Sequence, residues 1–207
     1  MYGISEKSDG AMKFDAQRRD SYFARLGDAK SYVLADVVHG TRIAIARTDS
    51  RGGVLPKTDG LITQADNLFL IITVADCFPI YSYDPVTKII GLAHAGWRGI
   101  SKNIVKKTVK VLGKLGVDLK NLLVGIGPGI RECHFEVRDD VAKIFGTQER
   151  FINLSGIIQN QLAALGIKKS NIEDSGECTF CLRDKYFSYR RDKPAQIEAM
   201  TAYIGRK

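Results

Sequence analysis

The stretch from Leu68 to Gly99 reads "LFLIITVADCFPIYSYDPVTKIIGLAHAGWRG". It holds three apolar runs rich in β-branched and aromatic residues, "LFLIITVA", "FPIYSY" and "KIIGLAHA", each of strand length. The second and third are separated by "DPVTK", which predicts a hairpin turning at Asp84-Pro85. Working outward, "SYVLADVV" and "RIAIAR" precede this block and "NLLVGIG" follows it, so strands crowd the first half of the chain. "QRRDSYFARLG" reads as a helix closed by Gly27, and "RDDVAKIFG" and "SGIIQNQLAALG" as two later helices, each stopped by a glycine. Strands gathered early and helices late favour an α+β or layered arrangement over a doubly wound sheet.

The chain has 207 residues and is 44% hydrophobic, enough for one sizeable core, and residues 1–207 read as a single domain. The run "LFLIITVA" is far too short to cross a bilayer, and the first twenty residues lack the apolar centre of a secretory signal, so the expectation is a cytoplasmic protein with no membrane partner. The formal charge of +8 raises the question of nucleic acid. Much of the excess lies in "SKNIVKKTVKVLGKLG", where Lys102, Lys106, Lys110 and Lys114 recur every four residues opposite Ile104, Val105, Val109 and Leu112. That is an amphipathic helix with a solvated basic face. No aromatic residues interleave with its lysines, so no nucleic-acid partner is expected.

Three segments carry reactive side chains: "VVHGTR" with His39, "ITVADCFPI" with Cys77, and "LAHAGWRG" with His94. Each residue stands at or near the end of an apolar strand, where adjacent strands bring their ends together under accessible loops. Two imidazoles and a thiolate suit Zn²⁺, and three protein ligands leave a fourth position open, as in catalytic rather than structural sites. Spacings of 38 and 17 residues match no zinc-finger pattern. Taken singly, Cys77 reads as a small core residue and each histidine as a structural one. Cys77 with His94 also reads as a nucleophile and its base. His134, in "ECHFEV", alternates as an exposed strand residue would, and "ECTFC" holds Cys178 and Cys181 as half a zinc ribbon with no second half, which favours packing. "GIGPGI" reads as a tight turn, because Pro128 removes an amide that a phosphate cradle needs. Arg98, at the entry to the lysine helix, and Arg190 in "FSYRRD" are candidates for gripping an anion.

Together "VVHGTR", "KTDGLIT", "VADCFPI", "IGLAHAGWRG", "GIGPGIRECHFEV" and "ECTFCLRDKYFSYRRD" resemble the signature blocks of the laccase-domain family. It is also named polyphenol oxidase (YfiH-like), purine nucleoside phosphorylase or peptidoglycan editing factor. The resemblance runs from about Val33 to Asp192, and "ADCxP" followed by "HAGWRG" is its most specific part. It implies an α+β fold, a layered α/β/β/α sandwich with mixed sheets, similar to the catalytic domain of cytotoxic necrotizing factor toxins. It further implies a Zn²⁺ ion on His39, Cys77 and His94, copper being the poorer fit.

The implied activities are phosphorolysis of purine nucleosides, methylthioadenosine included, and deamination of adenosine, with a nucleoside and phosphate as small-molecule partners. Asp59 of "KTDGLIT" and Asp76 beside Cys77 are the candidate acid/base groups, or else orient a ligand histidine, while Arg98 and Arg190 are the candidates for phosphate. A peptidoglycan-precursor amidase or Cys–His hydrolase is the alternative. A multi-copper oxidase ranks last, because three histidines are too few for its usual ligand set. The block around His39 departs from the family in carrying Val37 where glutamine is usual.

Overall fold

A computed structural model describes residues 1–26 and 31–206; Gly27, expected to close the first helix, lies outside them. Among the described residues, two mixed sheets and six α-helices make up the fold. The first sheet has the order β1 (Tyr2–Ile4), β11 (Met200–Arg206), β6 (Leu68–Val74), β2 (Tyr32–Ala35), β4 (Val54–Leu55). The second has the order β10 (Ile172–Asp174), β9 (Leu123–Ile126), β7 (Phe78–Tyr83), β8 (Ile90–Ala95), β5 (Gly60–Thr63), β3 (Ile43–Ile45).

Alternation along the strands stacks these sheets and places the helices. In β6, Leu68, Leu70, Ile72 and Val74 point into a core shared with Tyr81, Ile90 and Leu92 of the second sheet. The intervening Phe69 and Ile71 face the opposite side, where Phe23 of α1 (Ala16–Leu26) packs with Tyr32 and Tyr203. On the far side of the second sheet, Ile80, Ala93 and Ala95 meet Ile104, Val105, Val109 and Leu112 of α3 (Ile104–Lys114) and Ile158 and Leu162 of α5 (Leu154–Ala164). The layers therefore run helix, sheet, sheet, helix, as period-two strands with two apolar faces require.

The hairpin forms where the sequence predicts it. Strands β7 and β8 are antiparallel from Phe78–Ala95 to Tyr83–Ile90. Asp84 closes the turn: its carboxylate accepts hydrogen bonds from the Val86 and Thr87 amides and the Thr87 hydroxyl. The lysine segment forms α3 with the expected apolar stripe buried and its lysines exposed. Arg98, however, does not enter α3. It lies in a separate turn, α2 (Trp97–Ser101), because Asn103 adopts a left-handed conformation, φ 61°, that breaks the helix between them. The later helices α4 (Asp139–Ile144) and α5 are followed by Gly146 and Gly166 at φ 69° and 89°, a region that glycine enters without a Cβ clash. A last short helix, α6 (Tyr189–Asp192), carries Arg190.

Candidate metal centre and substrate cavity

Strand β6 ends in the first sheet and β7 begins in the second, so the "ADC" turn between them crosses from one sheet to the other. Asp76 makes that crossing with φ 81°, a conformation costly for a non-glycine residue and held here by its partners. Its Oδ1 accepts from the Thr179 hydroxyl at 2.7 Å and its Oδ2 from the Arg190 amide at 2.7 Å, while the Ile130 amide donates to its carbonyl at 2.8 Å. The turn thus presents Cys77 at the junction of the sheets. His94 comes from β8, opposite Pro79 of β7, and is buried. His39 comes from the connection after β2, also left-handed at φ 57°, and is exposed.

The ligand atoms of His39, Cys77 and His94 lie within 4.8 Å of one another, and the two rings meet edge to face at 4.9 Å. Asp59 stands behind them. It precedes β5, and the pairing of Gly60 with Ala93 sets it beside His94. Its carboxylate is fully buried, accepts from the Val38 and Gly40 amides at 3.2 and 2.9 Å, and faces His94 Nδ1 at 3.5 Å. Asp59 therefore holds the His39 loop through two amides and stands against the Nδ1 side of the His94 ring.

Burial opposes charge on Cys77, His94 and Asp59, but the attraction of their neighbours wins. The nearby imidazoles bring the Cys77 thiol down to about 6. The Cys77 sulfur and Asp59 bring His94 up to about 9. Asp59 itself is held below the usual carboxylate range by His94 and the two amides.

The donor set fits a zinc-type ion in both chemistry and space. A thiolate and two imidazoles converge, and a Cβ at Gly96 would stand 2.7 Å from Cys77 Sγ and 3.3 Å from His39 Cδ2. Only glycine leaves that pocket of space.

These three side chains line one end of a cavity of about 430 Å³, the size of a small-molecule site. Arg98 and Arg190 line it too, with Trp97, Phe135, Tyr189 and Lys13. The Arg98 guanidinium lies over the Trp97 ring at 4.3 Å. Arg190 donates to the Glu136 carbonyl at 2.8 Å and lies over Phe135. Neither arginine forms an ion pair among the described residues, which leaves donors for an anion. Sequence reasoning did not single out Phe135, Tyr189 or Lys13: the first two lie within the quoted blocks "GIGPGIRECHFEV" and "FSYRRD" but are of types that signal no chemistry by themselves, and Lys13 lies in none.

A second cluster corrects two expectations. His134 is not an exposed strand residue: it lies half-buried in a turn that begins at Arg131, stacked on Phe180 at 3.9 Å. Cys178 and Cys181 are not packing residues alone. With Cys133 and His134 they bring three sulfurs and a ring nitrogen within 4.8 Å of one another, a set able to hold a metal ion.

The sequence profile described as "Multi-copper polyphenol oxidoreductase laccase" matches residues 7–207. The chain belongs to this laccase-like family. Within it, the purine nucleoside phosphorylase YlmD of Bacillus subtilis is 31% identical over 202 residues, spanning 87% of this chain and 72% of that protein. A purine nucleoside phosphorylase of Borreliella burgdorferi is 36% identical over 154 residues, 69% of this chain and 67% of that protein. The crystal structure of YlmD from Geobacillus stearothermophilus superposes with a TM-score of 0.94 at 27% identity, covering 100% of this chain and 92% of that one. The laccase-like fold is thus shared throughout, and no helix among the described residues is long and apolar enough to cross a membrane.

Proposed function

We propose that this laccase-domain chain is a zinc-dependent purine nucleoside phosphorylase. The observation that carries the proposal is the convergence of His39, Cys77 and His94 at one end of a cavity lined by Arg98 and Arg190. Relatives named purine nucleoside phosphorylase support the substrate class. His39, Cys77 and His94 would hold a zinc ion, which would supply a Lewis acid at the cavity.

The chain's own residues do the rest. The Arg98 and Arg190 guanidinium forks bind and orient phosphate, whose oxygen attacks ribose C1′ as the bond to the purine nitrogen breaks. Phe135, Trp97 and Tyr189 give the nucleoside an aromatic surround. Asp59 keeps the His94 ring and the His39 loop in place. Deamination of adenosine at the same site needs a proton carrier to the leaving amine. Asp76 is the carboxylate lining the cavity, and both its oxygens already accept hydrogen bonds. Phosphorolysis, of methylthioadenosine as well, is therefore the first activity to expect, and deamination the second to assay.

The experiment is to incubate zinc-loaded protein with adenosine, inosine and methylthioadenosine, with and without phosphate, and to separate bases, inosine and sugar phosphate. Phosphate-dependent release of the base is expected, with Arg98→Ala raising the KM for phosphate about tenfold or more. No base release from loaded, folded protein overturns the proposal.

One observation favours a second reading. Asp59, His94 and Cys77 line up as carboxylate, imidazole and thiol, the order of a cysteine-hydrolase triad. Amide-bond hydrolysis, as on a peptidoglycan precursor, that persists in chelator and stops on alkylation of Cys77 would select it. Copper-dependent phenol oxidation has the weakest support, with only two imidazoles in the centre.

A further inference from the structure

We propose that Cys133, His134, Cys178 and Cys181 form a second zinc centre, closed and structural, that staples one wall of the substrate cavity. The four donors come from two loops: Cys133 and His134 from the connection between β9 and α4, Cys178 and Cys181 from that between β10 and α6. Cys133 Sγ lies 3.7 Å from both Cys178 Sγ and Cys181 Sγ, and His134 Nδ1 lies 3.2 and 3.4 Å from the Cys133 and Cys181 sulfurs.

Those separations decide between alternatives. A disulfide needs about 2.05 Å between sulfurs, and all four cysteines of the chain are free. A tetrahedral ion with bonds of about 2.3 Å to sulfur and about 2.0 Å to nitrogen sets its sulfurs about 3.8 Å apart and its nitrogen–sulfur pairs about 3.5 Å apart. The observed spacings are those of the edges of such a tetrahedron.

The surroundings support bound thiolates. The Arg131 amide points at Cys178 Sγ at 3.5 Å. Stacking on Phe180, with 16° between the rings, fixes the plane of His134 and aims its Nδ1 at the sulfurs. Three thiolates and one imidazole favour zinc over harder cations, and four protein ligands leave no position for substrate.

The staple reaches the cavity by short steps. Thr179, between the two cysteines of the C-x-x-C, donates to Asp76, which adjoins Cys77. Arg191 donates to the Thr179 and Phe180 carbonyls at 2.8 and 2.9 Å, tying this loop to α6 beside Arg190. Phe135, which follows His134, lines the cavity. Losing the ion would loosen the residues that hold the Cys77 turn and Arg190 in place.

The test uses the full chain, purified under reducing conditions and saturated with zinc alone. Elemental analysis should give two zinc ions per wild-type chain, one in His39→Ala/Cys77→Ala, and one in Cys133→Ser/Cys181→Ser. Cobalt loaded into His39→Ala/Cys77→Ala, which keeps only the second centre, should show thiolate-to-metal charge transfer and the strong visible absorption of a tetrahedral site. Should Cys133→Ser/Cys181→Ser fail to fold, the His39→Ala/Cys77→Ala protein still answers the question. The proposal is overturned if that folded variant retains no zinc, or if peptide masses of non-reduced protein show Cys133 disulfide-linked to Cys178 or Cys181. These readouts are metal content and spectra, so an inactive protein with two zinc ions would sink the phosphorylase reading and leave this one standing.

Discussion

At the scale of single residues, Gly96 makes the sharpest prediction. Its backbone, at φ −81°, suits any residue, so replacement by alanine acts through space alone. The added methyl would stand 2.7 Å from Cys77 Sγ. On the proposed binding of zinc at both centres, Gly96→Ala should therefore lose most of the ion held by His39, Cys77 and His94 and retain the other, with a fall in melting temperature of only a few degrees. Elemental analysis beside thermal unfolding checks this, and full zinc occupancy in the variant would refute it. His39, Cys77 and His94 could be picked out of "VVHGTR", "VADC" and "LAHAG" as candidates because each sits at or near the end of an apolar strand, and the fold brings the three together. The cluster around Cys133 was not, because half of it is an adjacent Cys-His pair on an irregular turn and the other half lies 45 residues away. No periodicity links two loops that are brought together by the pairing of β9 with β10.

At the scale of elements, the hairpin and the basic helix were readable from pattern alone, since turn chemistry and the helical period act locally. The break between α2 and α3 was not. The lysine period runs straight across Asn103, whose left-handed backbone, φ 61°, makes the break. Asp84 tests the hairpin. Burial raises its pKa, but the Thr87 hydroxyl and the Val86 and Thr87 amides lower it more, so the folded value lies below the ordinary carboxylate range. A depressed folded pKa means the stabilisation is complete above the unfolded value of about 3.9 and is lost as pH falls through the folded one. Asp84→Ala should cost about 1–3 kcal/mol at pH 7, and the gap from wild type should narrow in urea unfolding repeated near pH 2.5. A gap independent of pH would count against the carboxylate. Gly113 tests α3: it is exposed in the last turn of the helix, and a Cβ there meets nothing within 4 Å. Gly113→Ala should raise stability by about 0.5–1 kcal/mol, read as a higher urea midpoint at unchanged slope.

At the scale of the molecule, the question is whether the two sheets fold as one unit. Strands gathered early and helices late pointed only to a layered or α+β arrangement, and the layer order itself came from the family resemblance; which strands joined which sheet was not legible, because β6 and β7 are consecutive yet belong to different sheets. Their packing argues for one unit. Leu70 is fully buried between the sheets, pairs with Val33 and Ile204 in its own sheet, and packs in the core with Tyr81 and Leu92 of the other. The cavity also draws Thr73 and Ala199 from around the first sheet and His94 from the second. Leu70→Ala opens a cavity at this seam and should cost about 2–5 kcal/mol. Because both sheets lose the same contact, the loss should appear in one transition. Trp97, the sole tryptophan, sits at the end of the second sheet and reports on it by fluorescence, while far-ultraviolet circular dichroism reports on both sheets and the helices. Denaturant curves from the two probes should coincide in wild type and shift together in Leu70→Ala. Should the circular dichroism fall in a first step while Trp97 stays native, the sheets would be separate folding units, and a shared substrate cavity would then depend on their docking rather than on one core.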